Sequence, residues 1–341
     1  MTARKFAETL VFAAIGGLTL GLIGMPAGYL SGSILMVAIA SLAGRPLLVP
    51  LLPMRILLVL IGMSLGAVVT PATLNGMAAY PLSIAVLLGA MICISISGAS
   101  YLRAVHGWDK MTAYLAAAPG GLSQVMGLAL ELDADIRAIA IVQTTRVAII
   151  AVGLPAGLSL LGLVHHGARS IGGVFNPAQL GELAILIATS TVVALIAHRI
   201  RFPGGLLFGS MLASAALHGS GYIHVLMPWW VTNSVMMAFG AVTGSRFAGT
   251  SLRLLAHFIG AAFGSFAVAV AVTAVFAAVL VGLLSLPIAE VMIAYAPGAV
   301  DAMMLLALAL NLDPVYVGAH HLTRIFFVSL AMPLLARRKA S

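Results

Sequence analysis

One segment of this chain occurs twice, and the duplication limits the architectures that the chain can adopt. Residues 118–146 align with residues 296–324 at a constant offset of 178 positions. The shared residues include a proline–glycine pair, an aspartate and a threonine–arginine pair. These are Pro119-Gly120, Asp135 and Thr145-Arg146 in the first copy and Pro297-Gly298, Asp313 and Thr323-Arg324 in the second. Upstream, residues 25–35 align with residues 202–212 at an offset of 177. The similarity therefore covers most of both halves of the chain.

The composition is that of a membrane protein. Of the 341 residues, 62% are hydrophobic and 8% are charged, whereas a soluble domain has about 25% charged residues. Apolar runs of about 20 residues, the length that crosses about 30 Å of hydrocarbon, recur along the chain. The net charge of +8 comes from basic residues in short loops between these runs, so we interpret it as a topology signal and expect no nucleic-acid partner. We predict an all-α polytopic membrane protein.

The boundary between the repeats is the polar, glycine-rich stretch at 165–179. We place the first repeat at 1–170 and the second at 171–341. Each repeat contains about five apolar segments of spanning length and one segment that proline and glycine interrupt. The apolar run that follows Arg4 and Lys5 leads directly into further membrane segments, so we expect a retained first helix and not a cleaved signal peptide.

The interrupted segments, 111–132 and 289–310, allow two interpretations. Pro119-Gly120-Gly121 must end a helix, because proline lacks the backbone donor and glycine is a poor helix former. Each half is then about 12–16 Å long at about 1.5 Å per residue. The two halves can form a re-entrant hairpin, or they can cross the membrane as one broken helix, and length alone does not decide between these forms.

The distribution of lysine and arginine favours the hairpin. With five spans and a hairpin per repeat, nearly all basic residues lie on the face that holds the N-terminus. Six spans per repeat would distribute them over both faces, against the positive-inside rule. An odd number of spans turns the second repeat upside down relative to the first, an arrangement found in many secondary transporters. We therefore predict two inverted repeats with the N- and C-termini in the cytoplasm.

Two arginines lie inside apolar segments at equivalent positions, Arg146 and Arg324. Such a charge costs roughly 2.5–3.5 kcal/mol at the centre of a span, so its occurrence in both repeats argues for a role. The planar guanidinium suits carboxylates, and the helix N-termini that follow each proline–glycine pair also favour anions. Alternatively, each arginine pairs with an aspartate of its own repeat: Asp133 or Asp135 in the first and Asp313 in the second.

Further polar residues lie near the two interruptions. Besides the arginines, we expect the substrate site to contain Gly120, Gly121, Ser123, Gln124, Gly298, Thr145 and Thr323. As an alternative to substrate binding, the threonine hydroxyl groups can donate hydrogen bonds to backbone carbonyl oxygens of their own helix. For ion coupling we expect Asp301, His320 and His321, because an ionisable group inside a membrane is by default a functional candidate and histidine titrates near neutral pH. Helix capping by Asp301 and structural hydrogen bonding by the histidines are the alternatives.

Enzymatic chemistry has no support in the sequence. It contains no nucleophile motif, phosphate loop, dinucleotide fingerprint or metal-ligand pattern. The single cysteine, Cys93, excludes internal disulfides and cysteine-ligated clusters. We predict no catalytic residue, no metal site and no cofactor.

The residues at the two interruptions resemble the AbrB family of duplicated bacterial inner-membrane proteins. Residues 118–123 (APGGLS), followed by Arg146, look like the first-repeat signature of the family. Residues Ala296-Pro297-Gly298, followed by His320, His321 and Arg324, look like its second-repeat signature. Ala299 departs from the second glycine that is usual there. The resemblance implies a multi-pass protein of the bacterial cytoplasmic membrane. Members of the family carry the labels regulator and ammonia monooxygenase. These residues support neither label, because they contain neither a DNA-binding domain nor a copper ligand set.

These features predict a secondary transporter that moves a small organic anion, with a carboxylate as the expected class, coupled to H⁺ or Na⁺. Its partners would be the anionic substrate and the lipid bilayer, and a homodimer is one possible assembly. The alternative is a membrane-embedded ligand sensor that regulates gene expression without transport. A sensor needs a cytoplasmic output surface, and the connectors between the apolar runs are short.

Overall fold

The structure is a computed structural model, and it describes residues 2–69, 80–119, 122–164, 172–174, 176–284 and 286–337, without the side chains of 122–124 and 329–337. The chain is helical throughout these ranges. In these ranges the extended structure consists of one isolated bridge between Gly173 and Pro228. The predicted all-α class is therefore confirmed. The predicted repeat boundary falls largely on residues outside the described ranges, so it stays a prediction.

Fourteen α-helices lie in the described ranges, seven in each half. The first half holds α1 (Thr2–Leu22), α2 (Gly28–Leu42), α3 (Leu51–Gly66), α4 (Tyr80–His106), α5 (Lys110–Ala117), α6 (Leu122–Glu131) and α7 (Ile136–Leu160). The second half holds α8 (Leu180–Arg199), α9 (Gly205–Gly219), α10 (Trp229–Ser245), α11 (Leu252–Leu284), α12 (Ile288–Tyr295), α13 (Val300–Ala309) and α14 (Pro314–Arg337). Six of the seven equivalent helices begin 177 or 178 positions apart. The duplication in the sequence is thus also a duplication of helix order and length.

Five helical segments of the described chain are long and apolar enough to cross a membrane. These are α1, α4, α7, α11 and the segment Pro177–Arg199, in which a 3₁₀ turn precedes α8. Their mean hydropathy reaches 2.7 in α11. The helices α2 and α9 have only 15 residues each, about 22 Å at 1.5 Å per residue, which is less than the hydrocarbon thickness of about 30 Å. The predicted helical membrane protein is supported, with spans of unequal length.

The chain forms two compact units, and each unit takes helices from both repeats. The first unit comprises Met1–Gly76, Ala151–Gly249 and Met304–Val315, and the second comprises Met77–Ile150, Thr250–Met303 and Tyr316–Ser341. The first unit therefore contains α1–α3 with their counterparts α8–α10. The second contains α4, α11, the first interrupted segment and the part of the second interrupted segment that ends at Met303.

Glycines hold the first unit together by reciprocal contacts. α3 packs against α9, and α10 packs against α2. A Cβ atom on Gly62 would lie 2.2 Å from the carbonyl oxygen of Leu207, and one on the equivalent Gly240 would lie 2.9 Å from that of Leu30. One turn further along, the same relation recurs between Gly66 and Met211 and between Gly244 and Ile34. Because Leu207 is the counterpart of Leu30, each repeat binds the other through the same surface, as small residues allow between helices.

The second unit is built around α4, which packs against α5 and α11. Between these helices lies a cluster of buried small and branched side chains that includes Ala99, Leu102, Ala113, Ala116, Ala117, Val125, Ile139, Val142, Ala261 and Ala262. This apolar core surrounds the interrupted segment of the first repeat. The small side chains let the short helix α5 approach its neighbours closely, which the arginine contacts described below require.

Candidate functional site

Both interrupted segments consist of two short helices separated at the proline–glycine pair. α5 ends at Ala117 and α6 begins at Leu122, while α12 ends at Tyr295 and α13 begins at Val300. The first helix of each pair has 8 residues and the second has 10, or about 12 and 15 Å. The predicted interruption is therefore present in both repeats at equivalent positions.

In the first repeat the interrupted segment doubles back on itself. The backbone N–H of Asp135, just before α7, donates a hydrogen bond to Thr112 Oγ1 near the start of α5 at 2.9 Å. Further along both helices, Gln143 Nε2 donates to the carbonyl oxygen of Leu115 at 2.8 Å. α5 and α7 therefore run side by side in the same direction, so α6 must return toward the start of α5. A broken helix that continued forward would separate Thr112 from Asp135 by about 30 Å, so the contacts favour the hairpin.

Both interrupted segments end in the same turn and the same cap. The second residue after the second short helix adopts a left-handed conformation in both repeats, with φ 52° at Asp133 and φ 56° at Asn311. Two positions later, Asp135 Oδ1 accepts the backbone N–H groups of residues 137 and 138, and Asp313 Oδ1 accepts that of residue 315. These aspartates cap the N-termini of α7 and α14, a role worth about 1 kcal/mol each.

Arg146 of α7 binds the end of α5. Its Nη1 atom donates to the carbonyl oxygens of Ala116 and Ala117 at 3.5 and 3.2 Å, and its Nη2 atom donates to that of Ala118 at 3.1 Å. The arginine is only 4% exposed. These three carbonyl groups immediately precede Pro119, where the helix stops.

Arg324 makes the equivalent contacts in the second repeat. Its Nη1 atom donates to the carbonyl oxygen of Ala296 at 2.6 Å, and its Nη2 atom donates to that of Ala294 at 3.2 Å. With the offset of 178, these acceptors correspond to two of the three acceptors of Arg146. Arg324 is 2% exposed. The arginine–carbonyl contact is therefore a feature of both repeats.

The helix end explains why a buried arginine is found there. The last four carbonyl groups of a helix have no partner within the helix, and the helix dipole places partial negative charge on them. A guanidinium group satisfies several carbonyls at once and opposes that negative charge. Arg146 and Arg324 thus act as C-terminal caps of α5 and α12. Asp135, one of the aspartates considered as an alternative partner of the arginines, instead caps α7.

One turn before each arginine, a second side chain binds the same short helix. Gln143 donates to Leu115, as above, and the equivalent His321 donates from Nε2 to the carbonyl oxygen of Ile293 at 3.2 Å. Because a carbonyl only accepts, the proton of the neutral His321 ring lies on Nε2. This contact corresponds to the structural alternative for His321, while its predicted part in ion coupling stays a prediction.

We expect the substitution His321→Gln to retain the stability of the protein and His321→Ala to reduce it, since glutamine restores the amide donor that the first repeat uses. The midpoint of thermal unfolding in detergent, measured for both variants and the wild type, tests this expectation. The loss for alanine should correspond to one buried carbonyl left unsatisfied, about 1–3 kcal/mol. Equal midpoints for all three proteins would show that the contact does not stabilise the hairpin.

His320 lies in a separate network of buried hydroxyl groups. Ser83 Oγ is 2.6 Å from the Tyr316 hydroxyl and 2.7 Å from His320 Nε2. His320 Nδ1 is 2.7 Å from the carbonyl oxygen of Tyr316, so Nδ1 carries the proton of the neutral ring and Nε2 accepts from Ser83. The Tyr295 hydroxyl donates to the Ser83 carbonyl oxygen. All four residues are at most 2% exposed.

The remaining predicted site residues take several roles. Thr323 Oγ1 donates a hydrogen bond to the carbonyl oxygen of Ala319 in its own helix at 2.9 Å. This bond is the alternative to substrate binding that we considered for the threonines. Thr145 is buried, and its hydroxyl has no hydrogen-bond partner within the described chain. Asp301 lies in the first turn of α13 and is half-buried. The backbone N–H of Gly298 donates to Ala296.

Four predicted substrate-site residues of the first interruption cannot be placed. Gly120 and Gly121 lie outside the described residues, and for Ser123 and Gln124 the description covers the helical backbone only. Their predicted contacts with a substrate stay predictions.

The two last helices bring polar groups of both repeats into the second unit. Within the described residues, five buried polar atoms of this unit have no hydrogen-bond partner: Arg146 Nε, Arg324 Nε, Thr145 Oγ1, His321 Nδ1 and Thr273 Oγ1 of α11. Buried polar groups are rarely left in this state without a ligand, a water or a functional reason.

Sequence reasoning missed the partners of His320. Ser83, Tyr295 and Tyr316 stand in apolar segments and belong to no motif. The alignment of the two repeats nevertheless contained a signal. Each of these polar residues is aligned with an alanine at the equivalent position of the other repeat.

Comparison with known proteins identifies a family and two relatives of this chain. The model of the AbrB family, described as "Transition state regulatory protein AbrB", matches residues 29–339. "Uncharacterized protein YhjN" of Bacillus subtilis (strain 168) is 25% identical over 352 aligned residues, covering 95% of this chain and 90% of the relative. "Putative regulator AbrB" of Escherichia coli (strain K12) is 27% identical over 327 residues, covering 92% and 90%. Since the family model covers most of the chain, this protein belongs to the AbrB family.

Proposed function

We propose that the protein is a secondary transporter of a small organic anion, with a carboxylate as the substrate class, coupled to H⁺ or Na⁺. The observation that carries this proposal is the pair of interrupted segments, one in each repeat, whose first helix is capped at its C-terminus by a buried arginine. Paired interrupted helices at equivalent positions of two repeats are typical of transporter binding sites. The irregular backbone at such a break is tolerated within a membrane only where it is buried in protein or lines a cavity.

The electrostatics of the break favour an anion. At each interruption the negative end of one helix dipole lies near the positive end of the next. Arg146 and Arg324 offset the negative ends, because they donate to the last carbonyl groups of α5 and α12. The uncompensated charge is then positive at the N-terminus of α6, whereas Asp301 in the first turn of α13 offsets part of the positive charge at that N-terminus. A carboxylate at these N-termini would accept backbone N–H groups, and the unpartnered arginine Nε atoms offer further donors.

The proposed membrane arrangement places the two breaks together. The hairpin geometry in the first repeat supports five spans per repeat, and the distribution of basic residues then places both termini in the cytoplasm. An odd number of spans makes the repeats inverted, so the hairpins would enter from opposite faces and their tips would approach the midplane. The reciprocal glycine contacts support a two-fold relation between the repeats. The membrane would be the bacterial cytoplasmic membrane.

A thermal-shift screen with small carboxylates, at varied pH and Na⁺ concentration, tests the substrate class. A ligand that binds the folded protein raises the unfolding midpoint by mass action, so we expect one group of carboxylates to raise it for the wild type. Arg146→Lys and Arg324→Lys keep a positive charge but lose the planar geometry of the guanidinium donors. The rise in the unfolding midpoint caused by the carboxylate should therefore be smaller in both variants. Arg137→Ala removes an exposed arginine of the same helix as Arg146 and should respond as the wild type does. If no carboxylate shifts the wild type, the substrate class is wrong.

The second candidate is a membrane sensor that binds its ligand without moving it. The printed name of the Escherichia coli relative, a putative regulator, favours this function. Uptake of the stabilising carboxylate into proteoliposomes separates the two candidates. Accumulation that depends on an imposed H⁺ or Na⁺ gradient is expected of the transporter, whereas thermal stabilisation without uptake would support the sensor.

A further inference from the structure

The two repeats differ in the buried network around His320. At an offset of 178 positions, the residues equivalent to the four polar members are all apolar and small: Ser83 corresponds to Ala261, Tyr295 to Ala117, Tyr316 to Ala138 and His320 to Val142. These apolar counterparts are buried, with at most 3% of their surface exposed. The same backbone arrangement thus forms in the first repeat without any polar side chain. The polar network is therefore not a requirement of the fold.

Such a network needs a reason, because burying hydroxyl and imidazole groups is unfavourable unless every group finds a partner. Here the groups are in hydrogen-bond contact with one another. Ser83 Oγ contacts Tyr316 and His320, and His320 also donates to the Tyr316 carbonyl oxygen. The rings of Tyr316 and His320 are stacked at an angle, with centroids 4.1 Å apart. The network joins α4 of the first repeat to α12 and α14 of the second.

The serine hydroxyl allows the network to hold either protonation state of His320. With a neutral ring, Ser83 donates to Nε2 and can accept from the Tyr316 hydroxyl. When Nε2 binds a proton, the direction reverses: Nε2–H donates to Ser83 Oγ, and Ser83 donates to the Tyr316 oxygen. Both arrangements use the same heavy-atom positions, because a hydroxyl is both donor and acceptor. No side chain has to move for the proton to be accommodated.

The charged group nearest to this site links it to the anion. The titratable groups that face His320 are Tyr80, Tyr295 and Tyr316 with His321 and Arg324. Of these, only Arg324 carries a full charge at neutral pH, and it lies one helical turn after His320 on the same helix. Its positive charge opposes a second positive charge on His320. An anion bound beside Arg324 would offset this repulsion, so anion and proton would each favour the binding of the other.

We propose that Ser83, Tyr316 and His320 form the proton-binding site of this protein, and that a proton binds there together with the substrate anion. The inference rests on the proposed transport function and selects H⁺ over Na⁺ as the coupling ion. Ser83 and Tyr316 act as positioning residues, while His320 binds the proton at Nε2. Tyr295 fixes the Ser83 backbone through its hydroxyl.

Charge displacement after a pH jump tests the site without knowledge of the substrate. The purified protein is reconstituted into liposomes of neutral lipid on a solid-supported membrane, and the transient current is recorded as the bath pH is stepped between values from 4 to 8 in roughly one-unit steps around the ordinary pKa of histidine. We expect a capacitive current in the wild type and at least a severalfold smaller one in His320→Val, which carries the residue of the first repeat. His257→Gln removes an exposed histidine of α11 and should leave the current unchanged. A wild-type current in His320→Val would overturn the proposal.

Two milder variants keep the test decisive if His320→Val does not fold. Ser83→Ala copies the first repeat, and Tyr316→Phe removes only a hydroxyl. Because a hydrogen bond from a charged donor is stronger than a neutral one, Ser83→Ala should lower the midpoint pH of the displaced charge by about one unit. Tyr316→Phe should lower it in the same direction. If neither variant changes the midpoint, the network does not bind the proton and the proposal is wrong.

The same recordings separate this inference from the proposed function. If carboxylates bind but the pH-jump current does not depend on His320, the anion site stands and the proton site is wrong. If no carboxylate binds but the current requires His320, the proton site stands and the substrate class is wrong. If both hold, adding the carboxylate should raise the midpoint pH in the wild type, and carboxylate stabilisation of Ser83→Ala should require a lower pH than in the wild type.

Discussion

Replacing Arg324 with alanine should destabilise the protein by about 3–5 kcal/mol, since the substitution leaves the end of α12 without its cap. The guanidinium of Arg324 donates to the carbonyl oxygens of Ala296 and Ala294. Hydrogen bonds to a charged group are worth about 1.5–3 kcal/mol each, and every buried acceptor left unsatisfied carries a desolvation cost. No neighbouring water is expected to replace the donor in so buried a position, because Arg324 is 2% exposed. The midpoint of thermal unfolding in detergent, followed by tryptophan fluorescence, measures the effect.

Two further variants show whether the effect comes from the cap. Arg137→Ala removes an exposed arginine and should change stability by less than about 0.5 kcal/mol. Arg324→Lys retains the charge but cannot hold two carbonyl groups in the planar geometry of a guanidinium, so its midpoint should lie between those of the wild type and Arg324→Ala. The capping role would be refuted by an Arg324→Ala variant as stable as Arg137→Ala.

The arginines show what the sequence could and could not predict. Their burial, their equivalence and their need for a partner followed from the sequence, since a charge in an apolar segment requires compensation. The partner did not follow, because the acceptors are backbone carbonyls of alanine residues that no side-chain pattern marks. The helix interruption at Pro119 implied unsatisfied carbonyls upstream, yet it did not say which side chain would reach them. That information lies in the packing of α7 against α5.

The form of the interrupted segment was decided by a tertiary contact. Segment length fits both a hairpin and a broken span, and the distribution of basic residues favoured the hairpin only indirectly. The hydrogen bond from the Asp135 backbone to Thr112 places the two ends of the segment together. Threonine at position 112 gives no such signal in the sequence, because a hydroxyl within a helix most often bonds back to its own helix.

The difference between the repeats at His320 was visible in the sequence and carried more information than their similarity. Shared residues such as Asp135 and Asp313 serve the common backbone as helix caps. Residues that are polar in one repeat and apolar in the other cannot be explained by the common backbone. In a duplicated protein, these positions are the ones to inspect for a function that only one half performs.

The glycines of the first unit lead to the second large effect. Gly62→Ala should destabilise the protein by at least about 1–3 kcal/mol, the usual cost of overpacking a well-packed core. The added Cβ would lie 2.0 Å from Ser210 Oγ and 2.2 Å from the Leu207 carbonyl oxygen. The serine hydroxyl can rotate away, whereas the backbone carbonyl of α9 moves only if α3 and α9 separate. Small residues at such contacts are what allow helix backbones to approach within a membrane protein.

Gly153→Ala is the matched control for this prediction, because a Cβ atom there meets nothing within 4 Å. It should be neutral or stabilising by up to about 1 kcal/mol, the difference in helix propensity between alanine and glycine. Gly240→Ala provides an internal comparison, since its Cβ would lie 2.5 Å from Ser33 Cβ and 2.9 Å from the Leu30 carbonyl oxygen, a less severe overlap than that at Gly62. The expected order of unfolding midpoints is therefore Gly153→Ala, then Gly240→Ala, then Gly62→Ala. A Gly62→Ala protein as stable as Gly153→Ala would mean that α3 and α9 do not pack as closely in the membrane, and that reciprocal glycine contacts do not hold the two repeats together.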